Sequence, residues 1–140
     1  MTESKATTAY FADTIPHFGL YFAAALALAV AFLVIYQAIT PQREFALIRE
    51  GKTAPAISLT GAFLGFCIPM AMVIGNSVNL LDMALWGGVV LAVQLLTFFV
   101  ISHLFGGIAA RISDNCTSSG VFVGGISLGI GILNAACMVP

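Results

Sequence analysis

Eleven charged residues divide this 140-residue chain into four charge-free stretches, residues 14–42, 53–81, 83–110 and 115–140. No other feature restricts the fold so strongly. A helix needs about 20 apolar residues to cross a bilayer core of about 30 Å. Each stretch is long enough to span once and too short to turn back and span twice. The chain is 60% hydrophobic and 8% charged, against roughly 45–50% and 25% in soluble domains. The fold class that follows is an all-α integral membrane protein with four transmembrane helices, which leaves little chain for a soluble catalytic domain.

Residues 1–16 read as a short polar tail with an interfacial turn at Tyr10 and Phe11. The tail carries Glu3, Lys5 and Asp13 and lacks the apolar core of a secretory signal. The single transmembrane domain, residues 17–140, opens with a span from His17 to Ile39. Pro41 then pushes Thr40 out of helical space, and Thr40 is placed to cap a short helix from Pro41 to Gly51. In that segment Phe45 and Ile48 share a face, with Arg43, Glu44, Arg49 and Glu50 around the rest. The second span runs from Ala54 to Gly75 and is expected to kink near Pro69. Asn76, Ser77 and Asn79 form a polar connector, the third span runs from Asp82 to Phe105, and the fourth from Ser118 to Met138, with Pro140 at the membrane surface. Arg43, Arg49, Lys52 and Arg111 fall in the first and third loops, against Lys5 alone on the other side. The positive-inside rule therefore makes those loops cytoplasmic and both termini periplasmic.

Sliding the chain on itself so that position 48 meets position 112 pairs Ile48/Ile112, Thr53/Thr117, Gly61/Gly125, Leu64/Leu128, Gly65/Gly129, Ile68/Ile132 and Ala71/Ala135. This pattern predicts a parallel tandem repeat of two-helix units, about 17–80 and 81–140, related by an axis along the membrane normal. It also predicts how the helices pack. In lipid, association relies on close backbone approach through small residues. Gly61 and Gly65 on the second span, and Gly125 and Gly129 on the fourth, joined there by Gly120, Gly124 and Gly131, mark these two helices as a seam, within one chain or between chains.

Gln94 falls at the centre of the third span, where an amide must face protein or a water-filled cavity. It reads either as an interhelical hydrogen bond or as the lining of a path. Asn134 has the same two readings, the first being satisfaction of the carbonyl freed by Pro69. Asp82 reads as a helix cap, Trp86 as part of the aromatic belt and His103 as an interface residue. Arg43, Arg49 and Lys52 set topology and meet anionic headgroups or a partner. Cys67, Cys116 and Cys137 form no metal-spaced pair, and the sequon at Asn115-Cys116-Thr117 is an accident of position. No acidic relay crosses the spans, and there is no phosphate-binding loop or HExxH motif. No cofactor, no metal and no nucleic-acid partner is expected.

Taken in order, Thr40-Pro41-Gln42-Arg43-Glu44, Leu47-Ile48-Arg49-Glu50-Gly51, Leu64-Gly65-Phe66-Cys67-Ile68-Pro69, Asp82 with Trp86, Gln94-Leu95-Leu96 and Gly131-Ile132-Leu133-Asn134-Ala135-Ala136 resemble the YjfL-like family of bacterial inner-membrane proteins. The resemblance covers nearly the whole chain after residue 18. It implies a bacterial inner membrane, duplicated two-helix units and a context of membrane-stress proteins, with no reaction to carry over. The combined expectation is a non-enzymatic membrane component, a homo-oligomer in contact with membrane lipids, that recruits a cytoplasmic or membrane-stress partner through the loop Arg43, Glu44, Arg49, Glu50 and Lys52. The alternative is a channel or facilitator subunit lined by Gln94, Asn134 and glycine backbone.

Overall fold

Stretches this apolar can bury their backbone polarity only as helices. In the computed structural model, which describes residues 1–41 and 43–138, they form α1 (Thr2–Ile39), α3 (Thr53–Asn76), α4 (Leu80–Leu104) and α6 (Thr117–Cys137), with short helices α2 (Glu44–Arg49) and α5 (Ile108–Ser113) in the first and third loops. Gln42 of the first-loop motif and the terminal Pro140 lie outside the described residues. All four long helices have the length and hydropathy to cross a membrane. Their ends fall within two residues of the expected spans, except at the start of α1.

The polar tail expected over residues 1–16 is helical, and α1 runs for 38 residues, or about 57 Å at 1.5 Å per residue. Local chemistry accounts for this. Glu3 sits in the first turn, where the helix dipole favours an acid. Ala6, Ala9 and Ala12 are strong helix formers. The hydroxyls of Thr7, Thr8 and Thr14 donate back to the carbonyls of Glu3, Ser4 and Tyr10 at 2.8, 2.8 and 2.7 Å. Pro16 removes one backbone bond without ending the helix. Only the far half of α1 is packed, with Phe32 stacked on Phe66 of α3 at 4.9 Å and Tyr36 edge-on to Phe98 of α4 at 5.2 Å. The first half stands clear of the bundle.

Thr40 does not cap α2. Its hydroxyl donates to the Tyr36 carbonyl at 2.7 Å, closing the end of α1, and Arg43 precedes the first turn of α2. A threonine hydroxyl readily reaches a carbonyl four residues back, and here that bond is made first. Between α3 and α4, Asn79 Oδ1 accepts from the Asp82 amide at 2.9 Å while Asp82 Oδ2 accepts from the Val78 amide at 3.1 Å, a reciprocal cap that fixes where α4 begins.

The helix α5 is absent from the expected elements. It repeats α2 bond for bond, at the same offset that pairs the glycines of the two halves. Leu47 and Arg111 donate to the carbonyls of Arg43 and Gly107, Glu50 and Asp114 to those of Ala46 and Ala110, and Lys52 and Cys116 to those of Leu47 and Arg111. The residue that turns each loop into the next span is left-handed, Gly51 at φ 84 and Asn115 at φ 60, a conformation open to glycine and tolerated by asparagine. Asn115 contributes more than the turn. Its side-chain oxygen accepts from the Ala54 amide at 3.0 Å and so caps α3 from across the bundle.

Candidate functional site

Helices α3 and α6 both leave from the loop end and lie against one another along most of their length. A Cβ built on Gly61 would overlap the Gly124 backbone, and one on Gly131 would overlap the Gly65 backbone. On Gly124 it would lie 2.7 Å from the Ile57 carbonyl oxygen, and on Gly120 2.5 Å from that of Ala54. No side chain fits at these four positions. Gly125 and Gly129 are different: a Cβ at either meets nothing within 4 Å. They lie off the seam, beside Phe122 and Ile126 on the side of α6 that faces away from the bundle. Two overlapping pairs of small residues compete on α6, and the stripe that packs is the unbroken one, Gly120, Gly124, Ser127, Gly131 and Ala135, all buried. The face with Gly125 and Gly129 also carries bulky side chains that would hold the backbones apart.

Gln94 enters this seam from α4. It is 2% exposed, and its amide nitrogen donates to the carbonyls of Ala62 on α3 and Ser127 on α6, each at 3.1 Å. The space it uses is the one a side chain at Gly65 would take, since a Cβ there would overlap the Gln94 amide. Gln94 therefore ties three helices together, and Gly65 is the gap through which it reaches. Both donors are occupied, while the side-chain carbonyl oxygen is buried with no partner among the described residues. Pro69 lies buried in an α3 that continues through it to Asn76. The carbonyl it frees is that of Gly65, which faces Gly131. Asn134 is half-buried and does not make the bond to that carbonyl considered from the sequence.

The loop end departs furthest from the sequence expectation. Glu44, placed there among the solvated charges, is 0% exposed. It packs under the end of α1, where its carboxylate and the Ser58 hydroxyl flank the Tyr36 hydroxyl. Tyr36 and Ser58 hydroxyls make no hydrogen bond of good geometry with the described residues. Phe45, expected to share a face with Ile48, is about half exposed. The face of α2 that packs is Glu44, Leu47 and Ile48, rotated from the Phe45–Ile48 face. Arg43, Arg49, Glu50 and Arg111 are exposed. Lys52 joins the two loops: its ammonium donates to the Ser113 carbonyl at 2.9 Å and lies 3.8 Å from the Glu50 carboxylate.

Cys116, at the start of α6, has its thiol 3.3 Å from the Ser118 hydroxyl and accepts from the Ser119 hydroxyl at 3.5 Å. These hydroxyls, Ser118 foremost, favour the thiolate and lower its pKa to about 7. Alkylation by a small iodoacetamide reagent should then rise with pH through a midpoint near 7. The Ser118→Ala, Ser119→Ala double variant should move that midpoint upward, toward the ordinary cysteine value of about 8.5; a midpoint unchanged in the double variant would remove the hydroxyls as its cause.

A family model described as Domain of Unknown Function (DUF350) matches residues 10–138. The UPF0719 inner membrane protein YjfL of Escherichia coli K12 is 36% identical over 126 residues, which cover 90% of this chain and 96% of that protein. The protein of the same name in Escherichia coli O157:H7 matches to the same extent. No solved structure matches the chain. Four apolar membrane-length helices, a family model over nearly the whole chain and an inner-membrane relative aligned almost end to end lead to one assignment: the chain belongs to the DUF350 family and is a multi-pass inner-membrane protein.

Proposed function

We propose that the protein is a non-enzymatic, oligomeric component of the inner membrane that recruits a partner with an acidic surface to the face formed by its first and third loops. The observation that carries this reading is the burial of Glu44. With that carboxylate withdrawn from the surface, Arg43, Arg49, Lys52 and Arg111 outnumber the exposed carboxylates of the two loops, Glu50 and Asp114, by two. The surface is also held in shape, because the Lys52–Ser113 and Ala54–Asn115 hydrogen bonds fasten the loops to each other. A preorganised cationic face suits docking, since little conformational freedom remains to be lost on binding. The four-to-one distribution of Lys and Arg supports placing this face in the cytoplasm and both termini in the periplasm.

The recurrence of loop geometry between α2 and α5 supports reading the halves as copies of one two-helix unit. Self-association is supported by α1, which carries Phe11, Ile15, Phe18 and Phe22 at four-three-four spacing, all exposed. The occupied donors of Gln94 support its structural reading over a conducting path through one subunit.

The test is site-specific photocrosslinking in cells from an exposed loop position such as Ala46, comparing the native loops with the Arg43→Glu, Arg49→Glu, Arg111→Glu triple variant. The crosslinked species should fall at least tenfold in the variant while membrane insertion is unchanged. Equal crosslinking from a correctly inserted variant would overturn the docking role.

A further inference from the structure

At the end of the bundle opposite the charged loops, the last turns of α3 and α6 and the first turn of α4 enclose a cavity of about 300 Å³. Its one charged group among the described residues is the Asp82 carboxylate. Asp82 and Trp86, one turn apart on α4, line it together with Asn76 and Ser77 from the end of α3, and Met72 and Met138 contribute apolar wall. The Asp82 carboxylate uses Oδ2 to hold the Val78 amide, which leaves Oδ1 without a protein partner among the described residues. The C-termini of α3 and α6 converge here and present the negative ends of their dipoles, while the positive N-terminus of α4 is capped by Asn79 and Asp82. Neither α3, α4 nor α6 contains a lysine or arginine, so no cation of those helices answers this field. The Trp86 indole, half exposed, offers the π face that attracts ammonium groups.

From this geometry we infer that the cavity is a binding site for an alkylammonium group, held between the Asp82 carboxylate and the Trp86 ring. Volume and wall chemistry set the size of the guest. A cavity at the small end of the range for ligand sites has room for an aminoethyl or trimethylammonium group. Trp86 sits where a span enters the bilayer, and the methionines give the carbon chain of the guest an apolar surface. The ammonium can therefore come from an ethanolamine lipid headgroup reaching in from the membrane or from a free amine in the water outside. The inference does not depend on loop docking at the other end.

Trp86 is the one tryptophan in the chain, so its emission reports on this cavity alone. The full-length protein in a maltoside detergent is titrated with lysophosphatidylethanolamine, with lysophosphatidylglycerol, and with free ethanolamine and tetramethylammonium chloride. The ethanolamine lipid should give a saturable change in emission and the glycerol lipid none. Saturation by the free amines at comparable concentration identifies a soluble ligand, and saturation by the lipid alone identifies a headgroup site. Asp82→Asn keeps an oxygen for the Val78 amide and should weaken binding at least tenfold. Asn76→Phe, at an exposed position on the cavity wall, should abolish binding by filling the space, and it decides the matter should Asp82→Asn fail to fold. The inference is overturned by the absence of a saturable response to any ammonium compound, by equal response to the glycerol lipid, or by binding that survives both substitutions.

Discussion

Gly61→Ala and Gly131→Ala each lower the unfolding midpoint of the detergent-solubilised protein, at a cost toward the upper end of the about 1–3 kcal/mol typical of overpacking, while Gly125→Ala and Gly129→Ala leave it unchanged or slightly raised. The contrast follows from what each new methyl meets. At Gly61 and Gly131 it meets backbone of the facing helix, which can yield only by moving one helix away from the other. Separation also withdraws the carbonyls of Ala62 and Ser127 that hold Gln94, so the damage reaches α4. At Gly125 and Gly129 the methyl enters open space and gains the helix preference of alanine, up to about 1 kcal/mol. Leucine at Gly131 should prevent assembly of the native bundle altogether. Thermal unfolding followed by circular dichroism separates the two pairs, and equal effects at Gly61 and Gly125 would show that the seam is not where the packing places it.

The second large effect is expected at Glu44. Glu44→Lys inverts a charge at a site with no access to solvent, beneath Tyr36 and Ser58. The lysine must either stay buried among groups chosen for a carboxylate or pull α2 off the bundle. Either outcome costs about 3 kcal/mol or more, the scale of a misplaced buried charge. Glu50→Lys makes the same chemical change at the other end of α2. Glu50 is exposed and its partner Lys52 is 3.8 Å distant, so less than about 1 kcal/mol is at stake. Amide hydrogen exchange reads the difference directly: residues 44–49 should lose protection in Glu44→Lys and keep it in Glu50→Lys. Equal protection in the two variants would mean that the buried carboxylate contributes nothing to holding α2.

The spans were legible because charge is a nearly absolute marker in this chain and polar connectors trim its charge-free stretches: each long helix but α1 begins and ends within two residues of the expected span. The beginning of α1 was not, because polarity marks the edge of the membrane and not the end of a helix, which alanines and back-bonding threonines continue equally well in water. The pairing of α3 with α6 was visible in their glycines, but Gly125 and Gly129 do not carry its register. A repeated four-residue spacing picks out Gly125 and Gly129, while the packing surface is picked out by continuity, with Ser127 and Ala135 extending Gly120, Gly124 and Gly131. That signal was present in the sequence and depended on counting serine and alanine as small. Ile108 and Ile112, four apart and both buried, likewise marked α5. Glu44 is a different case. Nothing local distinguishes it from Glu50, and its burial is decided by the end of α1 and by Ser58, elements brought to it only by the fold.

The tightest interface in the molecule is also the last that synthesis can complete. Gly61 must wait for Gly124, and Gly65 for Gly131, which leave the ribosome only after all of α4 and the third loop have been made. At about 5–20 residues per second, the small-residue face of α3 is uncovered for roughly 3–13 s. During that interval it matches α6 of any neighbouring finished chain as well as its own. Where many copies are made close together, the same surface that closes one subunit can therefore join two by exchange of α6, and the rate of synthesis becomes a determinant of which product forms.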